Sequence, residues 1–147
     1  MAAKKAKPEK QETAKPGHLY TVGKRKRAVA RACFEPGKGI VRVNSYPLEL
    51  LGNEMARMRM QEPLLIAGDG WKSYNIHVDV RGGGVMGQAE AARQAISRGL
   101  VSLIPELKKK FLEYDRFMLV YDPRRTEPHK PPRSSQGPRR YKQRSKR

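Results

Sequence analysis

Gly82, Gly84 and Gly87 stand at G-x-G-x-x-G spacing, after a strand-like run and at the start of a helix-like one. Glycines there let a phosphate approach bare backbone amides at a helix N-terminus, which is how dinucleotide sites are built. Such a site also needs an acidic residue about 20 residues on, to hold the ribose. No acidic residue lies at the end of a following strand some 20 residues on, and Asp122 lies 35 residues past Gly87. The domain is too small for a doubly wound sheet, and the first strand does not open a βαβ series. The glycines read instead as tight strand-to-helix packing beside an anion-tolerant helix start.

Other reactive residue types have no partners at working spacing. His18, His77 and His129 are far apart in sequence, and one cysteine, Cys33, does not begin a zinc site. Cys33 reads as a small strand residue with no activating base nearby. Asp79 as a general base lacks an acid or nucleophile to work with. The sequence therefore predicts no enzyme, no cofactor, no metal and no small-molecule substrate.

Charge is the feature left to explain. The 147 residues carry 32 Lys and Arg against 14 Asp and Glu, a net charge of +18. Self-repulsion on that scale favours a permanent polyanionic partner. Lys24-Arg25-Lys26-Arg27 interrupts a strand-like segment and is followed by Arg31. Strand alternation sends neighbours to opposite faces, so at least two of these cations should converge on one side, where phosphates would neutralise them. No apolar run nears the ~20 residues that cross a bilayer, and the N-terminal stretch has no hydrophobic segment. With one cysteine, the chain reads as cytosolic.

Three segments emerge. Residues 1–18, with five Lys and two Glu and no apolar period, read as a disordered basic extension. Residues 19–121 hold nearly all the large apolar side chains and form the globular domain. Residues 122–147 hold ten basic and two acidic residues and no Val, Ile, Leu, Met, Phe or Trp. Pro123, Pro128, Pro131, Pro132 and Pro138 forbid a continuous helix, so this tail should run extended, reaching roughly 85 Å if fully stretched. Tyr141 sets a planar ring among its cations, which suits threading into folded RNA.

Within the domain, Tyr74, Ile76, Val78 and Val80 alternate with Asn75, His77 and Asp79, the pattern of a half-buried strand. Ala28, Ala30, Ala32 and Phe34 repeat it. Pro36-Gly37-Lys38-Gly39 reads as a turn into Ile40–Val43, making a hairpin of the two. Phe117–Tyr121 is continuously apolar and reads as a central strand buried on both faces. Ala89, Ala92, Ile96, Leu100 and Leu103 form a helical stripe, with Glu90, Arg93, Gln94, Ser97 and Arg98 on much of the other surface. Pro105 ends or kinks that helix, and Leu107, Phe111 and Tyr114 outline a short successor. Another helix is expected from Glu54 to Gln61, with Asn53 as N-cap and Pro63 just beyond. The expected fold is α+β: a two-layer sandwich with a mixed sheet of about four strands and helices on one face, plus the extended basic C-terminal tail.

The strings GKRKRAVARA (Gly23–Ala32), VRGGGVMGQAEAARQAI (Val80–Ile96) and YDRFMLVYDPRRTEPHK (Tyr114–Lys130) occur in that order, with Ser145-Lys146-Arg147 closing the chain. Together they resemble the universal family of small-subunit ribosomal protein nine, in its archaeal and eukaryotic form, from about Tyr20 onward. The resemblance implies a left-handed β-α-β crossover, as in the second domain of small-subunit ribosomal protein five. It also implies a structural role: binding the 3′ major domain of small-subunit rRNA in the head, beside neighbouring head proteins, with the tail reaching the peptidyl-site tRNA. The rRNA contacts expected are Lys24, Arg25, Lys26, Arg27, Arg31, Arg124, Arg125, Lys130, Arg133, Arg139, Arg140, Lys142 and Arg144, of which the resemblance sets Arg139, Arg140, Lys142 and Arg144 along an rRNA channel. Lys146 and Arg147 would approach the tRNA. Relatives commonly end in Ser-Tyr-Arg, so Lys146 puts a point charge where they carry a ring. A free regulatory RNA-binding protein, using the tail as an electrostatic arm, is the alternative reading.

Overall fold

The computed structural model describes residues 18–128 together with 140 and 141. The expected extension, apart from His18, lies outside the described residues, as does the tail beyond Pro128 except for Arg140 and Tyr141.

Five strands form one mixed sheet: β1 (Leu19–Arg25), β2 (Ala28–Pro36), β3 (Val41–Val43), β4 (Tyr46–Pro47) and β5 (Tyr74–Arg81). Their spatial order is β1-β2-β5-β3-β4. The alternation in β2 and β5 is satisfied by pairing: Ala30 lies beside Val80, Ala32 beside Val78 and Phe34 beside Ile76, all buried on one face. Arg31, Asp79 and Arg81 point out of the other face and are exposed.

The expected hairpin between β2 and β3 does not form, because β5 lies between them. β5 runs antiparallel to β2 and parallel to β3. The Pro36–Gly39 turn is instead tied to the start of β5. Gly37 N–H donates to Ser73 O at 2.8 Å, and Asn75 Oδ1 accepts from the amides of Lys38 (2.9 Å) and Ile40 (3.2 Å). The tight hairpins are β1–β2, turning at Lys26-Arg27, and β3–β4, turning at Asn44-Ser45. Asn44 and Ser45 both take positive φ (48° and 73°), the twist that suits a two-residue hairpin.

Phe117–Tyr121 is not a strand. Asp115 Oδ1 accepts the Phe117 amide at 2.8 Å and starts a 3-10 turn over Arg116–Met118. Backbone groups that a sheet would need are bonded locally, Val120 N–H to Arg116 O among them at 3.0 Å. Met118 is fully buried, while Phe117 and Val120 remain exposed. Apolarity alone did not specify a strand here because a side-chain cap captured the chain first.

Among the described residues three helices lie on one side of the sheet: α1 (Glu54–Ala67), α2 (Val85–Leu103), which packs directly on β1, β2 and β5, and α3 (Leu107–Tyr114). Asn53 caps α1 as expected, accepting the Ala56 amide at 3.0 Å. The helix runs through Pro63 rather than stopping before it. Ala56, Met60, Pro63 and Leu64 make one buried stripe, and their burial outweighs the single backbone hydrogen bond proline omits.

Ala89, Ala92, Ile96 and Leu100 of the expected α2 stripe are buried and Leu103 is partly so, but Arg93, Gln94 and Ser97, which the sequence pattern put on the helix's outer surface, are buried too. The helix lies between the sheet and α1 with α3, so it is covered nearly all round. Its contact with β1 is backbone-close: a Cβ on Gly23 would sit 2.0 Å from the Ala91 carbonyl oxygen. Gln94 is buried because its Oε1 accepts the Lys24 amide at 2.8 Å, and Thr21 Oγ1 donates to Ala95 O at the same distance. Ser97 Oγ donates to Arg93 O at 2.8 Å.

Candidate nucleic-acid interface

The β1–β2 turn and the start of α2 meet at one end of the domain. β5 ends in Arg81, and the chain turns through Gly82 and Gly83 at φ of 76° and 70°. A Cβ on Gly82 would stand 2.7 Å from the Arg27 carbonyl oxygen, so glycine is needed both for conformation and for space. Gly84 caps α2 without any side-chain hydrogen bond, leaving the first amides of the helix without a side-chain partner. Gln88 closes the loop, donating through Nε2 to Gly82 O at 3.2 Å.

Together these elements wall a cleft of about 650 Å³, with Arg25, Lys26 and Arg27 on one side, Gly83 to Gly87 on another, and Thr126 at the rim. Lys26 and Arg27 are exposed there, whereas Lys24, opposite Val29 in the β1–β2 register, is exposed on the open face of the sheet. A positive helix end, bare amides and free cations make an anion-binding surface. Glu90, at the edge of the cleft, is drawn toward Arg59 and Arg93, at 3.9 and 3.6 Å. Asp122 is buried and committed to arginines, so it offers nothing to a ribose.

Arg25 behaves differently from its three neighbours. It is half-buried and paired with Asp122, so protein already neutralises it. Arg124 grips the same carboxylate with Nε and Nη2 at 3.0 and 2.7 Å and lies over the Phe117 ring at 5.6 Å. Arg125 lies over the Tyr121 ring at 5.7 Å and donates to its hydroxyl at 2.9 Å. The fold thus brings Arg25 to Arg27 and the root of the tail to one end of the domain. The predicted site residues Lys130, Arg133, Arg139, Lys142, Arg144, Lys146 and Arg147 lie outside the described residues, and Arg140 is exposed.

Arg31 is not part of the cleft. It stands on the open face of the sheet, across from Asp79 in the β2–β5 register and beside Arg81. Arg42 extends the same face from β3, next to His77. Sequence reasoning passed over Arg42 and Arg81. The alternation that put their neighbours in the core was the signal for both.

Two comparisons place the chain among known proteins. A family model described as ribosomal protein S9/S16 matches residues 23–147. A protein named small ribosomal subunit protein uS9 from Methanococcus maripaludis strain C7 is 46% identical over 129 residues, covering 86% of this chain and 96% of the relative. Proteins of the same name from Methanococcus vannielii and Aeropyrum pernix are 47% and 52% identical. The second of these alignments covers 76% of this chain and 86% of the relative.

Proposed function

The chain belongs to the ribosomal protein S9/S16 family, and from that premise we propose that it is a structural constituent of the small ribosomal subunit, acting by binding RNA rather than by catalysis. The observation that carries this reading is the convergence of Lys26 and Arg27 on the uncapped start of α2, beside the root of a basic tail. Such a surface recognises closely spaced phosphates held in a fixed shape, which folded RNA supplies. Guanidinium forks at Arg124 and Arg125, already stacked on rings, are set at the tail's origin to continue that contact.

The rRNA of the subunit head is the partner of the domain and of the tail from Lys130 to Arg144. Lys146 and Arg147, at the far end, reach the peptidyl-site tRNA and help hold it in frame. The protein works in the ribosome, in the cytoplasm.

Quantitative mass spectrometry across a high-salt sucrose gradient of cell lysate tests the class. One copy per salt-washed small subunit is expected; a mainly ribosome-free pool would favour a free RNA-binding protein instead. Removing residues 139–147 tests the tail. The truncated protein should still be incorporated, while peptidyl-site tRNA dissociates faster; unchanged dissociation at matched salt would deny the tail its role.

A further inference from the structure

Antiparallel pairing of β1 with β2 places Leu19 beside Phe34 and Tyr20 beside Cys33, so His18 arrives next to Glu35 on the open face of the sheet. Three different donors meet there. His18 Nδ1 lies 3.1 Å from Glu35 Oε1 and 4.0 Å from Cys33 Sγ, and Cys33 Sγ lies 3.6 Å from Glu35 Oε1. All three ligand atoms fall within 4.8 Å of one another. No local motif marks such a cluster, because histidine and cysteine are separated by most of a hairpin.

The triangle has the dimensions of a metal site. Zinc binds imidazole nitrogen, thiolate sulfur and carboxylate oxygen at roughly 2.0–2.1, 2.3 and 2.0–2.2 Å. Tetrahedral angles between such bonds put the ligand atoms about 3.4 Å (N–O), 3.6 Å (N–S) and 3.6 Å (S–O) apart. The observed edges of 3.1, 4.0 and 3.6 Å depart from these by a few tenths of an ångström. Without a cation, one imidazole nitrogen faces both a carboxylate and a sulfur and can satisfy only one of them with a proton. His18 is exposed and the other two are half-buried, so an ion has access and a fourth position opens to water. His77 stands across from Cys33 on β5, a further imidazole on the same face.

We propose that His18, Cys33 and Glu35 form a binding site for a single Zn²⁺ ion, coordinated by Nδ1, Sγ and Oε1 with water as the fourth ligand. Binding releases the thiol proton to solvent and leaves a Zn–thiolate bond; nothing is oxidised or reduced. The mixed sulfur, nitrogen and oxygen set favours zinc over magnesium or calcium, which take oxygen alone. The ion would fasten the beginning of β1 to the end of β2, at the edge of the sheet away from the basic cleft.

Titrating Co²⁺ into the full-length, reduced protein reads this site directly, because a thiolate–cobalt bond gives a charge-transfer band and tetrahedral Co²⁺ gives strong visible bands. The bands should saturate at one ion per chain and vanish on adding Zn²⁺. Cys33→Ser should abolish the charge-transfer band. His18→Gln and Glu35→Gln should each weaken Co²⁺ binding by at least about tenfold. All three variants should keep the parent's circular dichroism, since the side chains lie on the open face. Absence of the charge-transfer band in the parent, or its survival at full strength in Cys33→Ser, would overturn the proposal. So would an unchanged affinity in His18→Gln.

Discussion

Arg25, the last residue of β1, forms an ion pair with Asp122, the first residue of the basic tail segment, and the Asp122 side chain is only 3% exposed. The same carboxylate accepts the Arg124 amide at 2.9 Å and its guanidinium at 2.7–3.1 Å. One buried acid therefore clamps the hairpin turn to the origin of the tail, and it neutralises part of the charge that composition alone would assign to phosphates.

Asp122→Asn should loosen that clamp. The amide keeps the shape but loses the charge facing two guanidiniums. Both arginines can partly rehydrate, which limits the cost to about 2 kcal/mol rather than the larger loss of a fully buried pair. Urea unfolding should show a lower midpoint with an unchanged slope. An unchanged midpoint would mean that the clamp contributes nothing to folding.

Gly23→Ala should be more damaging. Its Cβ would fall 2.0 Å from Ala91 O and 2.6 Å from Ala95 N, both backbone atoms that cannot swing aside. Separating β1 from α2 also breaks the seam bonds of Thr21 and Lys24. A loss of about 3 kcal/mol or more follows, from overpacking together with lost hydrogen bonds. Hydrogen exchange should show β1 amides opening earlier than those of β5; equal protection of the two strands would contradict this.

Much of this architecture was legible because single elements carry their own signals. The stripe from Ala89 to Leu103 and the alternation in β5 say which face is buried. They do not say what lies against the opposite face. Arg93 reads as a surface residue until Glu62, Glu90 and Asp115, from three different elements, are seen gathered around it. Strand partnership was hidden for a related reason: β5 enters between β2 and β3 from far along the chain. The basic turn was visible as a charge run, yet which of its cations is free depends on Asp122. His18, Cys33 and Glu35 were unreadable as a group without the β1–β2 register.

Asp115 makes stability acid-sensitive. Burial alone would raise its carboxyl, but the Phe117 amide and the Arg93 guanidinium, at 2.8 Å each, hold it below the ordinary aspartate range. A depressed carboxyl contributes stability that is present above its unfolded value and lost as pH falls through the folded one. The parent should thus exceed Asp115→Asn in stability at neutral pH, by about 1–3 kcal/mol. The gap should close below about pH 4. Unfolding free energies measured down that range test it, and a gap that persists in acid would show that charge is not what Asp115 supplies.

The Arg25–Asp122 pair also divides the basic turn into two kinds of cation, and the division is measurable. Lys26 and Arg27 are exposed beside the start of α2, with the groove open to phosphate. Each one that neutralises a phosphate should contribute roughly 0.7–0.9 to the slope of log affinity against log salt. Lys26→Gln and Arg27→Gln should each reduce that slope by about this amount, on the 3′ major domain of small-subunit rRNA, with little change in unfolding midpoint. Arg25→Gln should do the reverse. Its charge is already met by Asp122, so the slope should barely move while the midpoint drops. If Arg25→Gln flattened the slope as much as its neighbours do, Arg25 would have to leave Asp122 on binding RNA, and the clamp would open in the complex.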